Sequence, residues 1–334
     1  MRLTVVLGLV AGSVFGQAVV APGARSEMDA HNCYPYDGRW ANRVDRALSA
    51  GTPVAIEQDL AWYTDPKTGQ SRSLVTHGGK HVTGEEPSMR EYFFEKIRPL
   101  MERALKEGDH GDWPLVTLNL DFKTDEAAHH AAVWKLLKEY EPWLCTAERM
   151  KDESKVAPTK AGPLLVLTGE ADSQERDFEQ MVPVGGRLLL FGAVKTARHL
   201  NATMAPEQIV EGGATNYRRW WNNPWGVVEA GGQREAGEWT AADEARLRTL
   251  VRYAHAHGLY IRFYTLDGAP QAEMEANGWF MEYDFGSLDA AKARWLAAER
   301  EGVDYIATDE YEELGKFLRG SGVRAGVRQG VVRR

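Results

Sequence analysis

A small set of polar residues in the first 123 positions has the types and spacing for chemistry: His31 with Asn32, Glu57 with Asp59, His77, and Asp121 two positions before Lys123. Glu57 and Asp59 close the run Val-Ala-Ile-Glu-Gln-Asp-Leu over 54–60, which predicts a buried strand with its acids at the end. Residues two apart on a strand share a face, so both carboxylates point the same way. Residues 115–123 repeat the design: Val116, Leu118, Leu120 and Phe122 face one side, and Thr117, Asn119, Asp121 and Lys123 the other. Three carboxylates gathered at strand ends repel one another unless a cation neutralises them, and oxygen ligands suit a hard ion such as Mg²⁺ or Ca²⁺. Histidines before and after the acidic pair supply acid–base groups near neutral pH. Glu-x-Asp alone is usually a solvated face. Order, spacing and position at strand ends make the set read as a metal-assisted phosphodiester-cleaving site.

The elements that must hold these groups alternate along the chain. Residues 39–50 place Trp40, Val44, Ala47 and Leu48 on one helical face and stop at Gly51. A second helix spans 87–107, bent at Pro99 and ended by Gly108; a third is capped by Thr124, with Asp125 and Glu126 in its first turn. The runs 163–168 and 187–194 read as buried parallel strands. Thr240-x-x-Asp243 forms a capping box for a helix stopped by Gly258. Strand seven follows over 259–266, a helix over 287–301, and strand eight over 303–309. Strand–helix alternation of this kind predicts a parallel sheet with crossover helices, here a single-domain (β/α)₈ TIM barrel over residues 28–318. Residues 215–225, with Arg218 and Arg219 among three tryptophans, fit a sixth strand or a long loop. Arg218 there either binds phosphate or covers the tryptophans and reaches water. Tyr264, Glu170 and Asp309 stand at predicted strand ends, in reach of a substrate or of surface hydrogen bonds.

Composition agrees with one exported domain. Met1-Arg2 opens an apolar run to Phe15 followed by small residues, the pattern of a secretory leader ending near residue 18, or by 21. The expected location is therefore secreted or periplasmic. Net charge is −8, which argues against nucleic acid as partner. Six basic residues and no acids follow Gly315, so 319–334 reads as a flexible basic tail, with weak contact to an anionic membrane surface as a minor alternative. Two cysteines, Cys33 and Cys145, make no disulfide framework. The chain reads as a monomer.

The motif set resembles the phosphatidylinositol-phospholipase-C-like phosphodiesterases, a superfamily of TIM barrels. It includes glycerophosphodiester phosphodiesterases, phosphatidylinositol-specific phospholipases C and the spider-venom type of sphingomyelinase D. His31-Asn32 resembles the start of the phospholipases C, and the likeness implies that the Asn32 side-chain oxygen joins the metal ligands. Asp121-Phe122-Lys123 is more similar to sphingomyelinase D, which implies metal binding by Asp121 and substrate contact by Lys123. Residues 302–309, Gly-Val-Asp-Tyr-Ile-Ala-Thr-Asp, resemble the G-V-D-G-I-I-T-D ending of glycerophosphodiesterases. Asn32 replaces the Arg those enzymes carry after the first His, and Asp121 stands where many have Glu; both departures bear on the substrate. The expected protein is a secreted phosphodiesterase for a lipid or glycerophosphodiester. Its parts would be His31 and His77 as acid and base, one Mg²⁺ or Ca²⁺ on Glu57, Asp59, Asp121 and Asn32, and Lys123, Arg218 and Tyr264 against substrate. A glycoside hydrolase would also use a barrel and paired carboxylates, but needs neither metal nor two histidines. A non-catalytic metal-bound binding protein is the third class.

Overall fold

The structure is a computed structural model that describes residues 19–35, 40–78, 82–108 and 110–321. Residues 1–18 of the expected leader, the start of the predicted helix at 39, and residues 322–334 of the predicted tail lie outside the described residues. Twelve strands are described: β1 Glu27–Ala30, β2 Val54–Thr64, β3 Ser71–Val75, β4 Val116–Phe122, β5 Thr146–Glu148, β6 Thr159–Lys160, β7 Leu164–Thr168, β8 Arg187–Leu188, β9 Phe191–Ala193, β10 Arg218–Pro224, β11 Tyr260–Tyr264 and β12 Tyr305–Thr308. Eight run parallel in the order β1, β2, β4, β7, β9, β10, β11, β12, and β12 pairs back onto β1. The sheet is therefore closed, and the protein is a single (β/α)₈ barrel.

Two apolar regions follow from the alternation of side chains along the strands. One lies between staves and helices and holds Val54, Ile56, Val116, Leu118, Leu120, Ile261 and Ile306 with helix residues such as Leu250 and Trp295. The other fills the barrel with Ala55, Leu165, Leu167, Phe191, Trp220 and Tyr305. Above that plug, the inward positions turn polar.

Several expectations stand as read. Thr240 Oγ1 accepts from the Asp243 amide (3.3 Å) while the Asp243 carboxylate receives the Thr240 amide (2.9 Å), closing the capping box of Ala241–Ala256. Of the two readings left open for residues 215–225, the structure has the strand, with Arg218–Pro224 as the stave β10. Other expectations need correction. Thr124 does not cap the third helix, which spans Ala127–Glu139. Its hydroxyl accepts the Trp62 amide instead (2.7 Å), tying β2 to the end of β4. The run 187–194 splits: β8 joins β5 and β6 in a small antiparallel sheet, and only β9 enters the barrel. β2 overshoots the barrel and returns as β3 in a hairpin, Leu60 opposite Val75. The final helix runs Tyr311–Gly320, so Arg319 is helical. Among the described residues no helix is long and apolar enough to cross a membrane.

Candidate metal and acid–base site

Register brings the acids together. Asp59 pairs with Asp121, and Glu57 with Asn119, across β2 and β4. The carboxylates of Glu57, Asp59 and Asp121 each offer an oxygen within 4.8 Å of the other two. Lys123 bridges the outer two, with Nζ 2.7 Å from Asp121 and 3.1 Å from Asp59. Burial opposes its charge, but the two aspartates outweigh that and raise its pKa. Burial, with repulsion from Asp121, pushes Asp59 well above the usual carboxylate range despite Lys123. Burial also works against the Glu57 anion, but Arg262, His31 and Lys123 together hold its pKa below the ordinary value.

Below Glu57, Arg262 of β11 is buried with its Nε on Asp29 and its Nη2 3.3 Å from Glu57. Asn222 of β10 accepts from Arg262 Nη1 (3.1 Å). An arginine between Ile261 and Phe263 breaks an otherwise apolar strand, and that was its available signal in the sequence.

His31 follows β1. Its Nε2 is 3.6 Å from Glu57 and its Nδ1 3.6 Å from Asp309, at the end of β12. Asn32 takes the left-handed conformation (φ 51°), which Asn tolerates better than most residues. This turns its Nδ2 onto Asp309 (3.1 Å) and His31 Nδ1 (2.8 Å), while its Oδ1 accepts from the Tyr34 hydroxyl (3.2 Å). Asn32 lines the site, but that oxygen is turned to Tyr34 rather than to the carboxylates. Arg43, fully buried, binds Asp309 (3.0 Å) and the Asn32 carbonyl (2.7 Å), fixing the turn from below. Asp309 is thus a buried anchor: burial opposes its charge, yet Arg43 and His31 hold its pKa low.

His77 follows β3, and the Thr76 amide donates to the Asp59 carbonyl (2.9 Å). Burial, then the Lys123 charge, lower its pKa, which favours the neutral ring. His31, Asn32, Glu57, Asp59, His77, Asp121, Lys123 and Tyr264 line one cleft of about 330 Å³, joined by Asn222, Arg262, Phe280, Glu282 and Tyr283. Arg218 does not line it. Its guanidinium is held by Glu175 (2.7 Å) and the carbonyls of Ala193 (2.6 Å) and Glu170 (3.0 Å), a structural role that leaves it no free donor pair for phosphate. Glu170 is spent on Thr196 at the surface.

The three carboxylates suit a hard divalent cation. Glu57 and Asp59 are nearly enclosed, and burial with repulsion from Asp121 disfavours the Asp59 anion, so a positive charge placed among the three carboxylates is favourable. The donor set is all oxygen, as Mg²⁺ or Ca²⁺ requires.

No protein-family model matches the sequence, and no curated protein matches it. Among solved structures, the chain is similar to a calcium-dependent phosphoinositol-specific phospholipase C from a Pseudomonas species, at 14% identity over 81% of this chain and 93% of that one, TM-score 0.45. It is also similar to a glycerophosphodiester phosphodiesterase from Parabacteroides distasonis (11% identity, 90% and 99% covered, TM-score 0.42). A third is the 7,8-dihydropteroate synthase of Vibrio fischeri (14%, 92% and 95%, TM-score 0.39). Two are phosphodiesterases of the kind the sequence motifs resemble, and the third carries a different chemistry. Such distant likenesses leave the reaction to be argued from this chain's own side chains.

Proposed function

We propose that the protein is a metal-dependent phosphodiesterase acting on a lipid or glycerophosphodiester. The observation that carries this reading is the meeting of Glu57, Asp59 and Asp121 within 4.8 Å, bridged by Lys123, in a cleft that also holds His31 and His77. Glu57, Asp59 and Asp121 would hold the ion. Bound there, a divalent cation supplies charge neutralisation at a non-bridging phosphoryl oxygen. Lys123 adds a second positive charge where the phosphate sits, and it is kept charged by the same aspartates. Asp309, Asn32 and Glu57 fix the His31 ring from both nitrogens. One imidazole removes the proton of the attacking hydroxyl, and the other protonates the leaving alkoxide. Arg262 offsets the buried Asp29 and the inner face of Glu57, so the floor of the cleft is not left with unpaired negative charge.

The test is a panel of glycerophosphodiesters, phosphatidylinositol, sphingomyelin, lysophospholipids and bis-p-nitrophenyl phosphate, assayed with Mg²⁺, Ca²⁺ or chelator. Cleavage of at least one diester, abolished by chelator and restored by one of the two ions, is expected. Hydrolysis of glycosides insensitive to chelator would replace this reading with a glycoside hydrolase.

A further inference from the structure

Lys123 follows β4 directly, and its amide donates to the Leu60 carbonyl (2.8 Å), which pins its backbone and leaves its side chain to choose a partner. The ammonium lies 2.7 Å from Asp121 Oδ2 and 3.1 Å from Asp59 Oδ2. Only the first of these is a well-directed hydrogen bond. Asp59 Oδ2 is buried and has no hydrogen-bond partner among the described residues, although Lys123 stands beside it. An ammonium has three donors, and here one is used. Asp59 is thus compensated in charge but not in bonding. Glu57 is little better served at Oε1, which Asn119 Nδ2 reaches at 3.4 Å.

A Mg²⁺ or Ca²⁺ ion draws its oxygens to about 2.0 to 2.6 Å, closer than the ammonium stands. Two cations on one pair of carboxylates repel, and the ion needs the oxygens that Lys123 faces. The two basic residues of the cleft differ in how firmly they are held. Arg262 donates to Asp29 and to Asn222 from separate nitrogens and is fully buried, so it stays under Glu57. Lys123 carries a point charge on a flexible stem, its side chain is 22% exposed, and the cleft opens beside it.

We propose that Lys123 is an exchangeable internal counter-ion: it neutralises the carboxylates of Asp59 and Asp121 until a divalent ion binds, and ion binding displaces its ammonium into the cleft. The exchange rests on the phosphodiesterase reading only for what the freed ammonium then does, which is to meet the phosphate. It gives that site a regulation. Metal affinity is lowered by the protein's own cation, and the phosphate position takes its full positive charge only once the ion is in place.

The full-length protein, stripped with chelator, is titrated calorimetrically with Ca²⁺ and with Mg²⁺ beside Lys123→Met and Lys123→Arg. Lys123→Met keeps an unbranched stem and removes the charge, so it should bind the preferred ion about tenfold more tightly. Lys123→Arg keeps a cation at the carboxylates and should not show that gain. Without ion, Lys123→Met should melt below the parent, and it should recover more than the parent does on saturation. Unchanged or weaker ion binding by Lys123→Met overturns the exchange. A second measurement needs no variant to bind. In the parent labelled with ¹³C-lysine, the Lys123 ε-methylene resonance, assigned by its absence from Lys123→Arg, should shift on saturation with the ion; a resonance that stays in place overturns the exchange. The reaction fails separately. Displacement of Lys123 with no diester cleaved supports the exchange and defeats the phosphodiesterase, whereas cleavage with ion affinity indifferent to Lys123 defeats the exchange alone. No ion bound by the parent or by Lys123→Met defeats both.

Discussion

Glu57 and Asp59 project inward from one strand, so replacing either would remove a proposed oxygen ligand without breaking the ladder to β4. Glu57→Gln and Asp59→Asn should therefore lose divalent-ion stoichiometry in a metal titration, and unchanged binding in both would place the ligands elsewhere. In the proposed reaction the imidazoles would act on protons and not on the ion. His31→Ala and His77→Ala should each cost about 10² to 10⁴ in kcat with metal and fold retained. Because both serve one displacement, the double variant should lose little beyond the worse single one. A variant that melts lower yet turns over normally per folded molecule would make that histidine structural. These groups were legible in the sequence because strand alternation alone puts Glu57 with Asp59 and Asp121 with Lys123. Their surroundings were not. Arg43 sits in a helix with nothing local to link it to Asp309, 266 residues away. Arg262 meets Asp29 only when β12 closes the barrel between their strands. Arg218 misled for the opposite reason: beside tryptophans it resembled a phosphate ligand, and only the fold supplies Glu175 as its counter-ion.

The hairpin of β2 and β3 is the element that delivers His77, and the helix Ala127–Glu139 holds it in place. From that helix His129 reaches Ser73 of β3 (Nε2 to Oγ, 2.8 Å) and Thr124 after β4 (Nδ1 to Oγ1, 3.0 Å), while its ring stacks on Trp62 of β2 at 5.5 Å. One side chain thus joins the arm of His77 to the strand of Asp121 and Lys123. Burial, only partly opposed by the Thr124 carbonyl, lowers the pKa of His129 to about 4. The sign follows from linkage. An unfolded histidine takes its proton near pH 6.5, before the folded one does, so the stabilisation is complete above about pH 6.5 and is lost as pH falls toward 4. At pH 5 the loss should be about 2 kcal/mol. Urea melts at pH 7.5 and 5 should show that extra loss in the parent and not in His129→Gln; parallel pH dependence in both would remove His129 as the acid-sensitive clamp. The sequence did not announce this hairpin, because the outer half of β2 leaves the barrel and its burial fades from Trp62 to Thr64. It did announce the Thr240 box and the glycine that ends the second helix, Gly108 at φ 67°, since both signals are local.

At the scale of the whole molecule, the end of the barrel away from the site is covered by the residues that follow the proposed leader. Tyr260 donates its hydroxyl to the Val20 carbonyl, and the Gly23 amide donates to Asp304 (2.7 Å). Val19 packs against the apolar filling of the barrel, and Arg25 reaches the Asp112 carbonyl (2.9 Å). Asp304 in turn meets His255 at 3.0 Å, so this segment is tied to β11, β12 and the helix between β10 and β11. These contacts bear on where export would cut the chain. Cleavage after Ala18 leaves Val19 and Val20 in place, whereas cleavage after Ala21 removes the group that receives the Tyr260 hydroxyl. A lost buried hydrogen bond costs about 1 kcal/mol, and with uncovered apolar surface added the shorter form should melt roughly 2 to 6 °C lower. Intact-mass measurement of the exported protein should find the chain starting at Val19, and a chain engineered to start at Pro22 should show the lower melting temperature. An exported protein that keeps Met1 would defeat the leader, and equal melting of the two forms would mean that the segment merely rests on the barrel floor.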